Sequence, residues 1–487
     1  MSKKLKLVHI ASEVAPFSKT GGLGDVARSL PKALNRLGHE VMIITPLYGK
    51  IIDKKKYNLK LISKDIDVRL NSVESVKVNY WQGYLMEGLP VYFIENTEFF
   101  SKRKKIYGSD RENARFLVFS VAALKLLSVL KIPVDIIHCH DWQTGLIPHY
   151  LKTDFRYSKT LRKAKTIFTI HNLIFQMGRN WWEIPTDRKD YGRGKIPHLS
   201  DPRLEDINFA KRAILSADII NTVSEQYREE IMTKKFGQDL QRILRNREDR
   251  LFGIINGIDH NTYNPEKDDS LYRQYTPEQL ELKLENKKYL QQKIGLPVAD
   301  VPILCTTSRV TFQKGFNLIL GIIEHLLKLN IQIIFLGDGN EEYIKPLKKI
   351  QRKYQDKTIW LPFDQNKESL LYAAADLFLL PSNHEPCGIN QLIAMRYGCI
   401  PIVRAVGGLR DTVENFNPST GRGTGFTFKT EDEFLFYAAI IRALENYKHK
   451  KVWRNLVRRA MSQSTSWQIP AKKYVNLYRR DLRSKKV

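Results

Sequence analysis

The sequence predicts an α/β protein of two domains, each built on a mostly parallel sheet covered on both faces. Three observations lead there. Short apolar runs alternate with helix-length amphipathic stretches from end to end, the rhythm of successive β-α-β units. That rhythm is interrupted by a Lys- and Glu-rich stretch, residues 272–295, and then restarts. A chain of 487 residues also exceeds one ordinary core, so about two large domains or three smaller ones are expected.

The elements follow in order. In the first half, LKLVHI (5–10), VMIITP (41–46), VDIIHCH (134–140), TIFTIH (166–171) and DIINTV (218–223) read as buried strands. DVARSLPKALNRLG (25–38) and RFLVFSVAALKLLSVL (115–130) read as helices between them. In the second half, ILCTTS (303–308), IQIIFLG (331–337), TIWLPF (358–363), DLFLLPS (376–382) and IPIVRA (400–405) form a second strand set. The boundary falls near residues 256–259, giving an N-terminal domain 1–256 and a second domain 257–465. Ligands of such sheets bind outside the carboxyl ends of the strands, so the loops there are expected to carry the chemistry.

Composition narrows the class. Hydrophobic content of 43% and charged content of 27% fit a soluble globular protein. No run approaches the ~20 apolar residues of a membrane helix, so no membrane partner is expected. The Met-Ser-Lys-Lys start followed by a short apolar run, with Glu13 close behind, reads as a first strand rather than a signal peptide. Cys139, Cys305, Cys387 and Cys399 show no metal spacing, which points to a reduced, cytoplasmic protein. The net charge of +27 raises nucleic acid as a partner. Its lysines and arginines are spread along the whole chain, and no nucleic-acid module accompanies them. A solvated basic surface is the expectation.

Several segments carry chemistry. Lys19-Thr20-Gly21-Gly22-Leu23-Gly24-Asp25 follows the first strand and opens a helix, where unpaired N–H groups suit an anion and Lys19 adds charge. In SRVTFQKG, Arg309 and Lys314 lie between a strand end and a helix start, a placement suited to a diphosphate. Glu385-Pro386-Cys387-Gly388 occupies another strand-to-helix crossing, where a carboxylate suits sugar hydroxyls or charge at an anomeric carbon. Gly407-Gly408-Leu409-Arg410-Asp411-Thr412 ends the next strand, and its amides and Thr412 suit a phosphate. His138 and His140 are taken to point to opposite faces of their strand, which argues against joint metal ligation. His171 ends its own strand, with Asn172 next.

Together these stretches resemble the glycogen/starch synthases of the bacterial and plant-plastid type. SEVAPFSKTGGLGDV, HDWQTGLIP, TIHNL, NTVSEQYREEI, INGID with YNP, SRVTFQKG, EPCGINQLIAMRYG and GGLRDTV occur in that family's order, and the pattern runs on to Ser466-Trp467. The resemblance implies two Rossmann-like domains facing across a cleft (GT-B type), with a C-terminal helix, 466–487, returning to the first domain. It implies an acceptor-side N-terminal domain and a nucleotide-sugar-side second domain. The implied activity is transfer of glucose from ADP-glucose or UDP-glucose to the non-reducing end of an α-1,4-glucan, with retention.

By motif, Lys19, Gly21 and Gly22 would lie beside the donor. Arg309 and Lys314 would hold the diphosphate, with Thr412 on the phosphate. Glu385 would lie near the transferred glucose, and Cys387 and Gly388 against its hydroxyls. His171 and Asn172 would contact the glucose, and Asp141 would lie near the reacting centre. Tyr107 matches an aromatic of the cleft, and Asn256 would face the sugar. No metal or cofactor is implied, because the two cations take that electrostatic role; a homo-oligomer is left open. Departures from the family pattern are the extra residue in Phe175-Gln176-Met177-Gly178, the Trp181-Trp182 segment (179–200) and Ile393 in place of tyrosine. The readings weighed against this one are another nucleotide-sugar transferase of the same fold and a noncatalytic basic relative that holds glucan or nucleic acid.

Overall fold

The structure, a computed structural model, describes residues 3–483. The last four positions of the expected terminal segment, 484–487, lie outside the described residues. The chain forms two compact units. The first takes the chain up to Val223, Arg228–Ile254, and the stretch from Trp467 onward; the second takes Ser224–Tyr227 and Ile255–Ser466.

The first unit is built on nine strands: β1 (Lys6–Ile10), β2 (Glu40–Pro46), β3 (Lys60–Arg69), β4 (Ser75–Met86), β5 (Leu89–Glu95), β6 (Ile136–His140), β7 (Lys165–Ile170), β8 (Ile219–Thr222) and β9 (Leu251–Gly253). Their order is β3-β4-β5-β2-β1-β6-β7-β8-β9. From β5 to β9 all pairs are parallel, and β3, β4 and β5 pair antiparallel at one edge. The central strands are buried on both faces, which is why they read as unbroken apolar runs. The antiparallel edge was not visible in the sequence. Much of β3 faces solvent, so polar residues interrupt its apolar ones.

The second unit holds β10 (Ile303–Thr307), β11 (Gln332–Leu336), β12 (Thr358–Leu361), β13 (Leu377–Leu380), β14 (Ile400–Arg404) and β15 (Phe426–Phe428) in the order β12-β11-β10-β13-β14-β15, all parallel. The Lys- and Glu-rich stretch supplies the helix Glu281–Ile294, and two of its lysines are buried. Lys283 Nζ donates to the carbonyls of Tyr372, Ala373 and Ala375 at 3.0, 2.7 and 2.8 Å. Lys287 pairs with Asp376 at 2.7 Å. Charge from the stretch that interrupts the strand rhythm is therefore used to close the end of the helix Gln365–Ala374.

The terminal helix Gln468–Arg483 belongs to the first unit. Trp467, Ala471, Tyr474 and Tyr478 share one apolar cluster with Leu7, Val26, Leu30 and Leu34. Polar contacts set its register: Asn221 Nδ2 donates to Tyr474 Oη at 2.8 Å, and Tyr478 Oη lies 2.8 Å from His138 Nδ1. The helix Glu112–Val129 is apolar on nearly every side and is buried accordingly. At its first turn Arg115 and Glu112, 1% and 3% exposed, form an ion pair. Arg115 also donates to the carbonyls of Phe99 (2.9 Å) and Ile106 (3.1 Å), fixing the segment that carries Tyr107.

Arg115→Met should therefore leave Glu112 buried without its cation and lower the stability of the first unit by about 3–5 kcal/mol. Urea unfolding followed by tryptophan fluorescence measures this. A loss below about 1 kcal/mol would show that the pair contributes little.

Candidate functional site

Both sheets reverse their strand order once, and Lys19, Gly21, Gly22, Asp141, Arg309, Lys314, Glu385, Cys387 and Gly388 hang from the loops at those reversals, with His171, Asn172 and Thr412 on the loops after the next strands. In the first unit the chain runs outward from β1 to β2 on one side and from β6 to β7 on the other. In the second it runs from β10 to β11 on one side and from β13 to β14 on the other. At such a reversal the loops leaving adjacent strands diverge and open a crevice at the carboxyl edge of the sheet.

The loop after β1 is organised by Glu13, which is 2% exposed. Its Oε2 accepts from the Thr20 amide at 2.6 Å and the Thr20 hydroxyl at 2.7 Å, and its Oε1 from the Gly24 amide at 3.2 Å. Burial raises the Glu13 pKa, and those hydrogen bonds oppose the rise. The carboxylate thus sits on the first turn of the helix Gly22–Arg36, at the positive end of its dipole. Gly21 and Gly22 stay exposed, and a Cβ at Gly21 would meet nothing within 4 Å. No protein neighbour requires a glycine at position 21. Lys19 is partly exposed and pairs with Asp25 at 2.8 Å.

Tyr107 reaches this loop through a 2.7 Å hydrogen bond between its hydroxyl and Ser12 Oγ. Asp141, directly after β6, holds φ 57° and ψ 178°, a conformation non-glycine residues rarely adopt. Its amide donates to Thr169 O at 2.9 Å, and its Oδ1 accepts the His171 amide at 2.7 Å. The Asn172 amide also points at this carboxylate, but burial dominates and pushes its pKa up to about 7. Asp141 therefore ties the β6 loop to the β7 loop, bringing His171 and Asn172 beside it.

His138 and His140 do not point to opposite faces. Their rings stack with centroids 4.2 Å apart, because alternate residues of a pleated strand share a face. His9 of β1 joins them, and the three place ligating atoms within 4.8 Å of one another. Hydrogen bonds explain most of this cluster without an ion. His138 is bonded to Tyr478 and Thr169, and His140 to His9 and His171. Of these rings' buried nitrogens, His9 Nε2 is the one without a partner among the described residues.

In the second unit, Lys314 Nζ lies 2.5 Å from Glu385 Oε2, which also accepts from Ser382 Oγ at 3.0 Å. The loops after β10 and β13 are laced together by Asn383 N to Gln313 O (2.8 Å), Asn383 Nδ2 to Phe312 O (3.0 Å) and Gln313 Nε2 to His384 O (3.2 Å). Arg404, 4% exposed, braces the β13 loop from β14, donating through Nε to Ser382 O at 2.9 Å and through Nη2 to Asn383 O. Arg309 is exposed on the β10 loop.

The glycine pair after β14 is needed for close approach. Gly407 has φ +46°, and a Cβ there would sit 2.0 Å from Glu385 O. The Gly408 amide donates to that same carbonyl at 3.1 Å, so it is used within the protein. Thr412 Oγ1 donates to Gly408 O at 2.6 Å and accepts from Gln391 Nε2 at 3.1 Å. Gly388 has φ +72°. Cys387 is buried, which pushes its thiol up to about 12, while hydrogen bonds from Asn256 pull the other way.

Four buried side-chain oxygens in or beside these loops have no partner among the described residues: Asn256 Oδ1, Thr311 Oγ1, Asn383 Oδ1 and Gln391 Oε1. Buried acceptors left unpaired are uncommon in folded proteins, and hydroxyl groups of a ligand would satisfy them.

Sequence reasoning missed Glu13, His9 and Arg404. Glu13 was read only as the residue that ends an apolar run, although a carboxylate a few residues ahead of a glycine-rich helix start is a capping signal. His9 and Arg404 lie inside apolar strands, and no local pattern marks their role. The Trp181-Trp182 pair divides: Trp181 is buried with Met177 and Ile184, and Trp182 is 56% exposed. Ile393 lies in the interior at 2% exposure.

Comparison with known proteins gives the class. Residues 6–246 match the family described as starch synthase catalytic domain, and residues 288–460 match glycosyl transferases group 1. The catalytic domain of Starch Synthase IV from Arabidopsis thaliana, solved bound to ADP and acarbose, superposes with a TM-score of 0.87 at 35% identity, covering 99% of this chain and 100% of that one. Sucrose-phosphate synthase from Thermosynechococcus elongatus, at 17% identity and a TM-score of 0.63 over 98% and 99% of the two chains, shares the fold. The protein is thus a glycosyltransferase with two parallel-sheet α/β domains of the GT-B type. Among curated proteins, a glycogen synthase of Moorella thermoacetica is 40% identical over 100% of this chain and 99% of its own. One of Thermotoga maritima is 38% identical over 98% and 99%. The chain belongs to the glycogen/starch synthase family.

The Asp141 environment has a pH signature. Its folded-state pKa, about 7, lies above the ordinary 3.8, so the folded chain binds the proton more tightly than the unfolded chain. Stability contributed at this position should fall as pH rises from about 4 to about 7. Asp141→Asn removes that titration, so the variant should gain on the parent between pH 5 and pH 8 in urea unfolding. A difference that stays constant with pH would contradict the assignment.

Proposed function

We propose that the protein is a glycogen synthase that transfers glucose from ADP-glucose to the non-reducing end of an α-1,4-glucan with retention of configuration. The observation that carries this reading is the Lys314–Glu385 pair, set where the sheet of the second unit reverses. Full-length similarity to glycogen synthases supports the reaction, and the ADP in the starch synthase complex supports the donor. The second unit serves the nucleotide sugar and the first the acceptor. No described helix is long and apolar enough to cross a membrane, and all four cysteines are buried free thiols; we assign the protein to the cytoplasm.

In this reading the bond between the glucose anomeric carbon and the diphosphate breaks, and negative charge builds on the departing phosphate. Arg309 and Lys314 meet that charge. The acceptor's 4-hydroxyl attacks on the face the phosphate leaves, and its proton passes to a phosphate oxygen. A double displacement would need two carboxylates about 5 Å apart. Glu385, already bound by Lys314 and Ser382, instead holds the transferred glucose with Cys387 and Gly388, while Asn256 faces the same sugar. Thr412 is assigned to the phosphate in the second unit; in the first unit His171, Asn172, Asp141 and Tyr107 are assigned to sugar, with Lys19, Gly21 and Gly22 beside them as an anion-binding turn.

Incubating the protein with radiolabelled ADP-glucose or UDP-glucose plus glycogen tests this directly. Label should enter the polymer from ADP-glucose. Lys314→Ala and Glu385→Ala should each lose ~100-fold or more in rate while keeping a native circular dichroism spectrum. Full activity in both variants, or no incorporation by the parent, would overturn the reading.

A further inference from the structure

A chain of imidazoles runs from the interior of the first unit to His171. His9 Nδ1 lies 3.0 Å from His140 Nε2, and His140 Nδ1 lies 3.0 Å from His171 Nε2. His9 and His140 are fully buried, and His171 is partly exposed. His171 Nδ1 has no partner among the described residues and forms the outer end of the chain. At the inner end, His9 Nε2 is buried and equally unpartnered.

Burial holds His9 and His171 down to about 3 and lowers His140 as well, so all three rings are neutral near pH 7. A neutral imidazole carries one N–H, so two consecutive His–His hydrogen bonds must run in the same direction. If they ran inward, His9 Nε2–H would be a donor buried with no acceptor. If they run outward, His9 Nε2 is only a bare lone pair. Orphaned buried N–H groups are the rarer of the two in folded proteins. The outward direction therefore wins: His9 Nδ1–H donates to His140 Nε2, and His140 Nδ1–H donates to His171 Nε2. His138 stacks on the chain but takes no part in it, since Tyr478 and Thr169 occupy both of its nitrogens.

We propose that His9 and His140 are positioning residues that lock His171 in the Nδ1–H tautomer, so that it presents a hydrogen-bond donor, not an acceptor, to the sugar. The contact with sugar rests on the function proposed above; the tautomer itself does not. A donor at this point selects for a ligand oxygen lone pair, and the ring needs no reorganisation when the ligand arrives.

The test is nitrogen-15 spectroscopy of the full-length protein labelled at histidine, with the His171 signals assigned by their loss in His171→Asn. The parent should show His171 protonated at Nδ1; protonation at Nε2 would overturn the proposal. His140→Leu removes the donor to Nε2 and should turn His171 to the Nε2–H form, lowering the glucose-transfer rate about tenfold, one lost hydrogen bond's worth, with ADP affinity unchanged. His140→Asn offers an amide N–H in place of Nδ1 and should restore both the tautomer and most of the rate. A His171 tautomer unaffected by His140→Leu would also overturn the relay. A tautomer that switches without any change in rate supports the relay and refutes the sugar contact.

Discussion

Parallel strands that run outward in two directions from a sheet's centre leave their loops without a covering neighbour at the point of reversal. The candidate residues are grouped by that geometric consequence. In each unit the loops on the two sides of the reversal, after β1 and β6 and after β10 and β13, hold most of the candidate positions, and the loops after β7 and β14 pack beside them. The same topology, used twice, yields two carboxyl-edge loop clusters of different chemistry. One has a helix start, a carboxylate near neutrality and a histidine chain; the other has a lysine–glutamate pair and a set of unpaired oxygens.

Loops alone do not hold side chains to the tolerance that group transfer requires. Here a second set of buried polar residues supplies it. Glu13 gathers the amides of the β1 loop, Arg115 fixes the segment of Tyr107, and Arg404 braces the carbonyls ahead of Glu385. Gly407 lets the β14 loop come within contact of the Glu385 backbone, where any side chain would collide. Through these contacts the arrangement of the candidate residues becomes a property of each folded unit.

The parallel core strands were legible in the sequence because burial on both faces writes an unbroken apolar run. The antiparallel edge of β3 to β5 was not, because a half-exposed strand mixes polar residues into its pattern. The loops carrying Lys19, Arg309, Lys314 and Glu385 were legible because glycines and charges at a strand-to-helix crossing have few structural uses. Their partners were not. Lys314 and Glu385 lie 71 positions apart, and only the fold makes them a pair. The histidines show the limit most clearly. His9 sits in a run that reads simply as a strand, and its connection to His171 crosses three strands. The placing of His138 and His140 on opposite faces was a misreading of the strand's period of two, which the stacked rings correct.

The central claim is that the reversal between β10 and β13 is where the leaving diphosphate is held. A crystal structure of the protein soaked with ADP tests it most directly. The account predicts density for the diphosphate at the carboxyl ends of those two strands, within hydrogen-bond reach of Arg309 and Lys314. ADP bound at any other place in the second unit, with both cations turned to solvent, would contradict it.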